Sequence, residues 1–180
     1  MGATTTLVTV PEFLAMPEPE GERLELIGGE IVSMSFGHIP HEVVKKNLTK
    51  ILVLWLAQNS PAELFAESMY HVDDYNALMP DLSVLFPGRT GPGSKGWIQG
   101  APEIALEVVS SEPAARLERK IRLYLAHGGK SVWAIYPQER MVRIEDTAGG
   151  SRLFFDDQPL TDPVVLPGFS IPTSAIFEGV

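Results

Sequence analysis

Apolar and polar positions recur along this chain with two different periods, and each period predicts a type of element. Between residues 41 and 58 the apolar side chains fall mainly three to four positions apart, which is the spacing of one helix face. Those positions are Val44, Leu48, Ile51, Leu52 and Trp55. A second helix is predicted for residues 113–127, because Pro113 suits a first turn and Gly128 follows the last one. A short helix is predicted at residues 9–14.

Runs with a period near two predict strands between and after these helices. Residues 23–27 and 30–34 flank Gly28 and Gly29, which predicts a hairpin with a tight turn. Further strands are predicted at residues 63–72, 81–86, 102–110, 131–136, 141–146 and 152–156. Residues 87–96 are predicted to form a loop, and residues 167–177 a docked tail. The pattern predicts one α/β domain over residues 1–180, with a central mixed β-sheet flanked by helices.

One charged residue interrupts the most apolar of these predicted strands. Residues 102–110 have the composition of a strand that is covered on both faces, yet Glu107 lies among them. Burying an ionised carboxylate without a partner costs several kcal/mol. Glu107 therefore requires a cation nearby. A basic side chain in a structural ion pair and a metal ion both satisfy that requirement.

Composition narrows the classes of function. The chain has no cysteine, which excludes disulfides and thiolate metal sites. It shows neither a membrane-span pattern nor a secretion signal, so we expect a cytoplasmic protein with no membrane partner. A net charge of −9 argues against a general nucleic-acid coat, because non-specific binding depends on Lys and Arg contacts to phosphates. A nucleic acid would have to bind in a local groove.

Two acidic residues and a lysine are expected to meet at one end of the sheet. Asp81 opens one predicted strand and Glu107 lies in the next, so their carboxylates converge if the strands pair. Carboxylate oxygens suit Mg²⁺ or Mn²⁺, and Lys120 borders the buried stripe of its helix. Such a set can support metal-assisted phosphodiester hydrolysis. A structural ion network of the same residues is the alternative.

Segments spread over nearly the whole chain resemble the Uma2 family, also called DUF820. These segments are residues 25–30, His41 at a helix start, Pro80-Asp81, residues 100–110, Lys120, Tyr124 and Gly128, and residues 166–169. The resemblance implies a nuclease of the PD-(D/E)XK superfamily with a restriction-endonuclease-like fold. It also implies that Asp81 and Glu107 bind the metal, with the backbone carbonyl of Val108 as a further ligand.

The resemblance also implies a displaced lysine. The position two residues after Glu107 holds Val109, and the catalytic lysine is expected on the helix as Lys120. Two positions depart from the family pattern. Arg116 stands where an Asp is common, four residues before the lysine, and Tyr136 stands before Pro137 where an Asp is common. Neither departure removes an implied metal ligand.

Two further residues are candidates for the site. His41 at the helix start is expected to contact the site or a phosphate, and a surface histidine is the alternative. Glu25 lies on the side of its strand opposite Leu24 and Leu26, and it is expected either in the site or as a surface or paired glutamate.

The function that the sequence favours is a Mg²⁺- or Mn²⁺-dependent endonuclease, with DNA as the expected substrate. The alternative is a catalytically weak domain of the same fold that acts as a nucleic-acid-binding or regulatory partner. Hydrolysis of another phosphate ester is a third possibility. A two-fold homodimer is expected, because an acidic chain needs help to grip a duplex. Residues 142–144 and 153–155 are the expected pairing strands.

Overall fold

The computed structural model describes residues 7–17, 21–34, 38–89 and 96–180. The helices are α1 (Val10–Leu14), α2 (Ile39–Asn59), α3 (Ala114–Ala126) and a final 3₁₀ helix (Thr173–Phe177). The strands are β1 (Arg23–Ile27), β2 (Glu30–Met34), β3 (Glu63–Ala66), β4 (Met69–Asp73), β5 (Asn76–Leu78), β6 (Leu82–Leu85), β7 (Trp97–Gln99), β8 (Ile104–Val108), β9 (Ser131–Tyr136), β10 (Met141–Asp146), β11 (Ser151–Phe155), β12 (Pro159–Asp162) and β13 (Leu166–Pro172). No helix among the described residues is both long and apolar enough to span a membrane.

The strands form a six-stranded sheet, a five-stranded sheet and a two-stranded ribbon. The six-stranded sheet has the order β11-β10-β9-β8-β6-β3, and the five-stranded sheet has the order β2-β1-β5-β4-β7. In the six-stranded sheet β8 pairs parallel with β9 and antiparallel with β6. The fold is therefore α/β with mixed sheets, as the sequence predicts.

Helices cover both faces of the six-stranded sheet at its centre. The buried face of α2, including Leu48 and Leu52, packs in one core with Leu106 of β8 and other side chains of that face. Leu117 and Ile121 of α3 pack in a second core with Ala105 of β8. Because successive strand residues point to opposite faces, Glu107 shares the α3 face with Ala105.

The antiparallel register of β6 and β8 places the two candidate acids side by side. Ser83 pairs with Ala105, and Leu82 pairs with Leu106. Continuing that register by one residue sets Asp81 opposite Glu107 at the end of β8. Residues directly opposite in such a ladder have Cβ atoms about 5 Å apart. The prediction that these two carboxylates converge at one end of the sheet agrees with this register.

The strand predicted over residues 63–72 is wrong, because two strands in two different sheets occupy it. Glu67 lies between them with φ of 50°, a left-handed conformation that ends a strand. Its carboxylate forms ion pairs with Arg23 and Lys45 at this change of direction between β3 and β4. Strands β5, β7 and β12 were also missed, because each has only three or four residues. Strand β13 was missed as well, because its segment was predicted only as a docked tail. Residues 90–95 of the predicted loop lie outside the described residues.

The predicted pairing strand over residues 142–144 is not available for dimer formation. It belongs to β10, which lies between β9 and β11, and Val142 and Ile144 are fully buried. Residues 153–155 belong to β11, at one end of the sheet order, where Leu153 is 50% exposed and Phe155 is 38% exposed. The tail is docked as predicted, with Phe169 and Phe177 buried in the core beside α2.

Candidate active site

A polar cleft of about 280 Å³ lies where β1, β6, β8, α2 and α3 approach one another. At about 30 Å³ per water molecule, it has room for a phosphodiester group and several waters. The candidate residues that line it are Glu25, His41, Asp81, Glu107, Val108 and Lys120. The fold therefore brings together every site residue that the sequence proposes, from segments up to 95 positions apart.

Asp81 is anchored at the end of β8 through both carboxylate oxygens. The backbone N–H of Val108 donates to Oδ2 at 2.7 Å, and His41 Nε2 lies 3.1 Å from Oδ1. Burial opposes ionisation of Asp81, but the hydrogen bonds and charge of His41 outweigh it, so the pKa of Asp81 lies below its usual value. Asp81 is therefore a fixed carboxylate on the wall of the cleft.

His41 is buried rather than exposed on the surface, which removes the surface alternative. It lies in the first turn of α2, and its Nδ1 faces Glu42 Oε1 at 3.2 Å. Burial disfavours a charged imidazole, but the contacts with Asp81 and Glu42 prevail and raise the pKa of His41. With both ring nitrogens facing carboxylates, His41 is held in place and orients Asp81.

Glu107 is held by two groups of α3 on one buried face. Lys120 Nζ lies 2.8 Å from both Oε1 and Oε2, and the Tyr124 hydroxyl donates to Oε1 at 2.8 Å. Burial raises the pKa of Glu107, and although Lys120 opposes that rise, Glu25 and Asp81 add to it, giving about 8. The cation that the sequence predicts beside Glu107 is therefore present as Lys120.

Lys120 is only 1% exposed, and it bridges Glu107 and Glu25. Its Nζ lies 3.1 Å from Glu25 Oε1, and the same oxygen accepts a hydrogen bond from the N–H of Met79 at 2.7 Å. Burial opposes the charge of Lys120, yet the surrounding carboxylates raise its pKa far above the usual range. Glu25 therefore belongs to the buried network and is not a surface residue.

Sequence reasoning did not place Tyr124, Glu112 or Arg116 in the site. The hydroxyl of Tyr124 contacts Glu107, although its helix position predicts only a core aromatic residue. Its spacing of four from Lys120 was the available signal, because that spacing puts both on one helix face. Glu112 and Arg116 also line the cleft. Glu112 lies in the connection to α3, and Arg116 lies in the first turn of that helix. At both positions the apolar pattern does not predict which way a polar side chain points.

The donor set fits a hard divalent cation, although it contains few acids. Among the described residues, no three His, Asp or Glu side chains form a cluster that could hold a metal. Asp81 and Glu107 supply two carboxylates. The N–H of Val108 points towards Asp81, and a strand residue directs its N–H and C=O to the same edge, so its carbonyl oxygen faces that side as well. Two carboxylates with a carbonyl leave positions for water, as Mg²⁺ prefers.

Two comparisons with known proteins yield matches. A family model described as "Uma2: Putative restriction endonuclease" matches residues 10–174. The fold is similar to a crystal structure from Anabaena variabilis ATCC 29413, described as a putative nuclease belonging to DUF820, with a TM-score of 0.83. The identity is 22%, over 95% of this chain and 98% of that one. None of the curated proteins matches this chain. The family match supports a nuclease, and the structural similarity shows the fold.

Proposed function

Because this chain belongs to the Uma2 family, we propose that it is a metal-dependent endonuclease that hydrolyses phosphodiester bonds in DNA. The observation that carries the proposal is the placement of Asp81 opposite Glu107, with the ammonium of Lys120 on the same buried face. A purely structural ion pair needs no cleft beside it, whereas Asp81, Glu107 and Lys120 all line one.

We propose that Asp81, Glu107 and the carbonyl oxygen of Val108 hold Mg²⁺ or Mn²⁺. When bound, such an ion lowers the pKa of a water molecule and neutralises charge on a phosphate. Asp81 already has the orientation and the charge that a ligand needs, because His41 and the N–H of Val108 hold its two oxygens. Each of those oxygens keeps a second acceptor site.

Lys120 and its neighbours supply fixed charge beside the scissile phosphate. Glu25 and Glu107 hold the ammonium in place, so it needs no reorganisation when negative charge develops on the phosphate. Tyr124 fixes Glu107 by donating to Oε1. Glu25 is a positioning residue, since it contacts Lys120 and the backbone of Met79. His41 orients Asp81 and keeps it ionised.

The second candidate is a catalytically weak domain that binds nucleic acid or a regulatory partner. It is favoured by the net charge of −9 and by the close pairing of Lys120 with two glutamates. Such a domain would bind its partner without turnover.

Metal binding and metal removal test the proposal together. We expect calorimetry to show Mn²⁺ binding to the wild type and little or none to Asp81→Ala. We expect the wild type to nick supercoiled plasmid in Mg²⁺ or Mn²⁺, and we expect EDTA to stop the reaction. Binding of metal and DNA without cleavage would favour the weak domain. An absence of metal binding at millimolar Mn²⁺ would contradict both the metal site and the enzyme.

We also propose a homodimer that forms through β11. This strand ends the six-stranded sheet, and no described residue pairs with its outer side. Leu153 and Phe155 expose apolar side chains on the same face of β11. An exposed apolar strand edge is a common site of pairing between chains, and two-fold pairing closes such an interface.

Sedimentation velocity tests the dimer. At micromolar concentration we expect the wild type to sediment as a dimer and Leu153→Glu as a monomer, because the variant places a charge on each side of the interface. Leu54→Glu is the matched control, since Leu54 is a similarly exposed leucine on α2. A monomeric wild type, or a dimer that survives Leu153→Glu, would contradict this assignment.

A further inference from the structure

A groove lined by lysines runs along α2 beside the cleft. Lys45, Lys46 and Lys50 line one wall, and Ala66 and Leu82 line the other; we call this the lysine groove. Lys46 and Lys50 are four residues apart, a spacing that places them on one helix face. Three lysines in one groove form a local positive patch in a chain whose net charge is −9.

The lysine groove adjoins the cleft. Glu42 borders both of them, and Leu82 of the groove directly follows Asp81 of the cleft. From His41 to Lys50 is nine residues, or about 13 Å along the helix axis at 1.5 Å per residue. The groove therefore has the length of a short stretch of nucleic-acid backbone.

The lysines of the groove differ in how their charges are used. Lys45 pairs with Glu42 at 3.1 Å and with Glu67 at 2.7 Å, so its charge is balanced inside the protein. Lys46 and Lys50 are exposed, and neither forms a salt bridge with a described residue. Their charges are therefore available to a polyanion.

A further cation stands on the α3 side of the cleft. Arg116 lines the cleft one turn before Lys120, and it makes no salt bridge within the part of the chain that the structure describes. A planar guanidinium binds phosphate oxygens in a bidentate manner, which a lysine cannot do. Cations thus lie on both sides of Asp81 and Glu107.

We propose that the phosphate backbone of the nucleic acid follows Lys46 and Lys50 into the cleft and contacts Arg116 on the α3 side. This path rests on the proposed nuclease function for its purpose, because it carries a strand past Asp81 and Glu107. It also explains how an acidic chain binds a polyanion: the contact is confined to one groove, and the remaining surface stays acidic.

Binding, not cleavage, tests the path. Fluorescence anisotropy with a labelled 20-base-pair duplex, and with one of its single strands, measures affinity from about 25 to 200 mM KCl. Ca²⁺ replaces Mg²⁺ so that the probe stays intact. Lys130→Ala is the matched control, because Lys130 is exposed and precedes β9, at the end of the sheet remote from the cleft.

For the duplex, we expect the Lys46→Ala/Lys50→Ala double variant to lower the steepness of the plot of log affinity against log salt by about 1.8. That change follows from about 0.9 per phosphate contact, and the affinity near 100 mM should fall by about 10-fold or more. Arg116→Ala should lower the slope by about 0.9, and Lys130→Ala should leave it unchanged. Lys46, Lys50 and Lys130 are all exposed, so their alanine variants should fold normally.

The outcomes separate this path from the nuclease proposal. A double variant with the slope and affinity of the wild type would overturn the path, even if the wild type cleaves DNA. A wild type that binds neither probe at the lowest salt would overturn it too. A wild type whose binding depends on Lys46 and Lys50, but which cleaves nothing in Mg²⁺ or Mn²⁺, would support the path and contradict the nuclease.

Discussion

Asp81→Asn is expected to lower the rate of plasmid cleavage by about 10³-fold or more while leaving the fold intact. A bound metal contributes several kcal/mol to the transition state, and each 1.36 kcal/mol is a factor of ten in rate. The amide is neutral and can supply only one of the two oxygens of Asp81. Cleavage rates measured at saturating Mg²⁺ and Mn²⁺ test the expectation.

The fold should survive because an asparagine can satisfy both neighbours of Asp81. Its oxygen can accept from the N–H of Val108, and its amide can donate to a neutral His41. Asp74→Asn is the matched control, because it removes the same charge from an exposed turn away from the cleft. Cleavage by Asp81→Asn at the rate of the control would show that Asp81 is not a metal ligand.

Lys120→Met is expected to lose about 10²-fold or more in cleavage rate, the scale of one preorganised electrostatic contact. It should also lose about 3–5 kcal/mol of stability at neutral pH, because Glu25 and Glu107 would stay buried without their cation. Urea denaturation and plasmid cleavage measure the two effects separately. The stability loss alone would show a structural role, so a second variant is needed.

A paired substitution separates the two roles of Lys120. Lys120→Met together with Glu25→Gln removes one of the two uncompensated carboxylates, so it should recover part of the lost stability. It should not recover the rate, because the ammonium beside the phosphate is still absent. If the double variant regains both stability and cleavage, Lys120 is structural and the catalytic assignment fails.

The stability loss in Lys120→Met should also depend on pH. The pKa of Glu107 is already raised by burial, and removing the ammonium removes the largest influence that lowers it. A raised carboxyl pKa means that the folded protein binds the proton more tightly than the unfolded chain does, so stability falls as pH rises through that range. We expect a smaller loss at pH 5.5 than at pH 8. An equal loss at both would show that the glutamates do not cause it.

The sequence by itself determined the elements whose residues report their own environment. The apolar spacing of α2, the Gly28-Gly29 turn and strands β8 to β11 all follow from local patterns, and the structure agrees within a few residues. Because Glu107 is a charged residue within an apolar strand, the sequence predicts a cation beside it. The candidate site residues could be chosen from these patterns and from the family resemblance together.

Only the tertiary structure decided which partners these residues have. The register of β6 against β8 sets Asp81 opposite Glu107, and Lys120 meets Glu25 only because β1 and α3 converge on one cleft. Glu67, at the break between β3 and β4, forms ion pairs with Arg23 and Lys45, which lie far away in the sequence. A local pattern indicates whether a side chain is buried, but the hydrogen-bond and ion-pair partners of that side chain come from distant segments. Their geometry is fixed when the sheets pair and the helices pack on them.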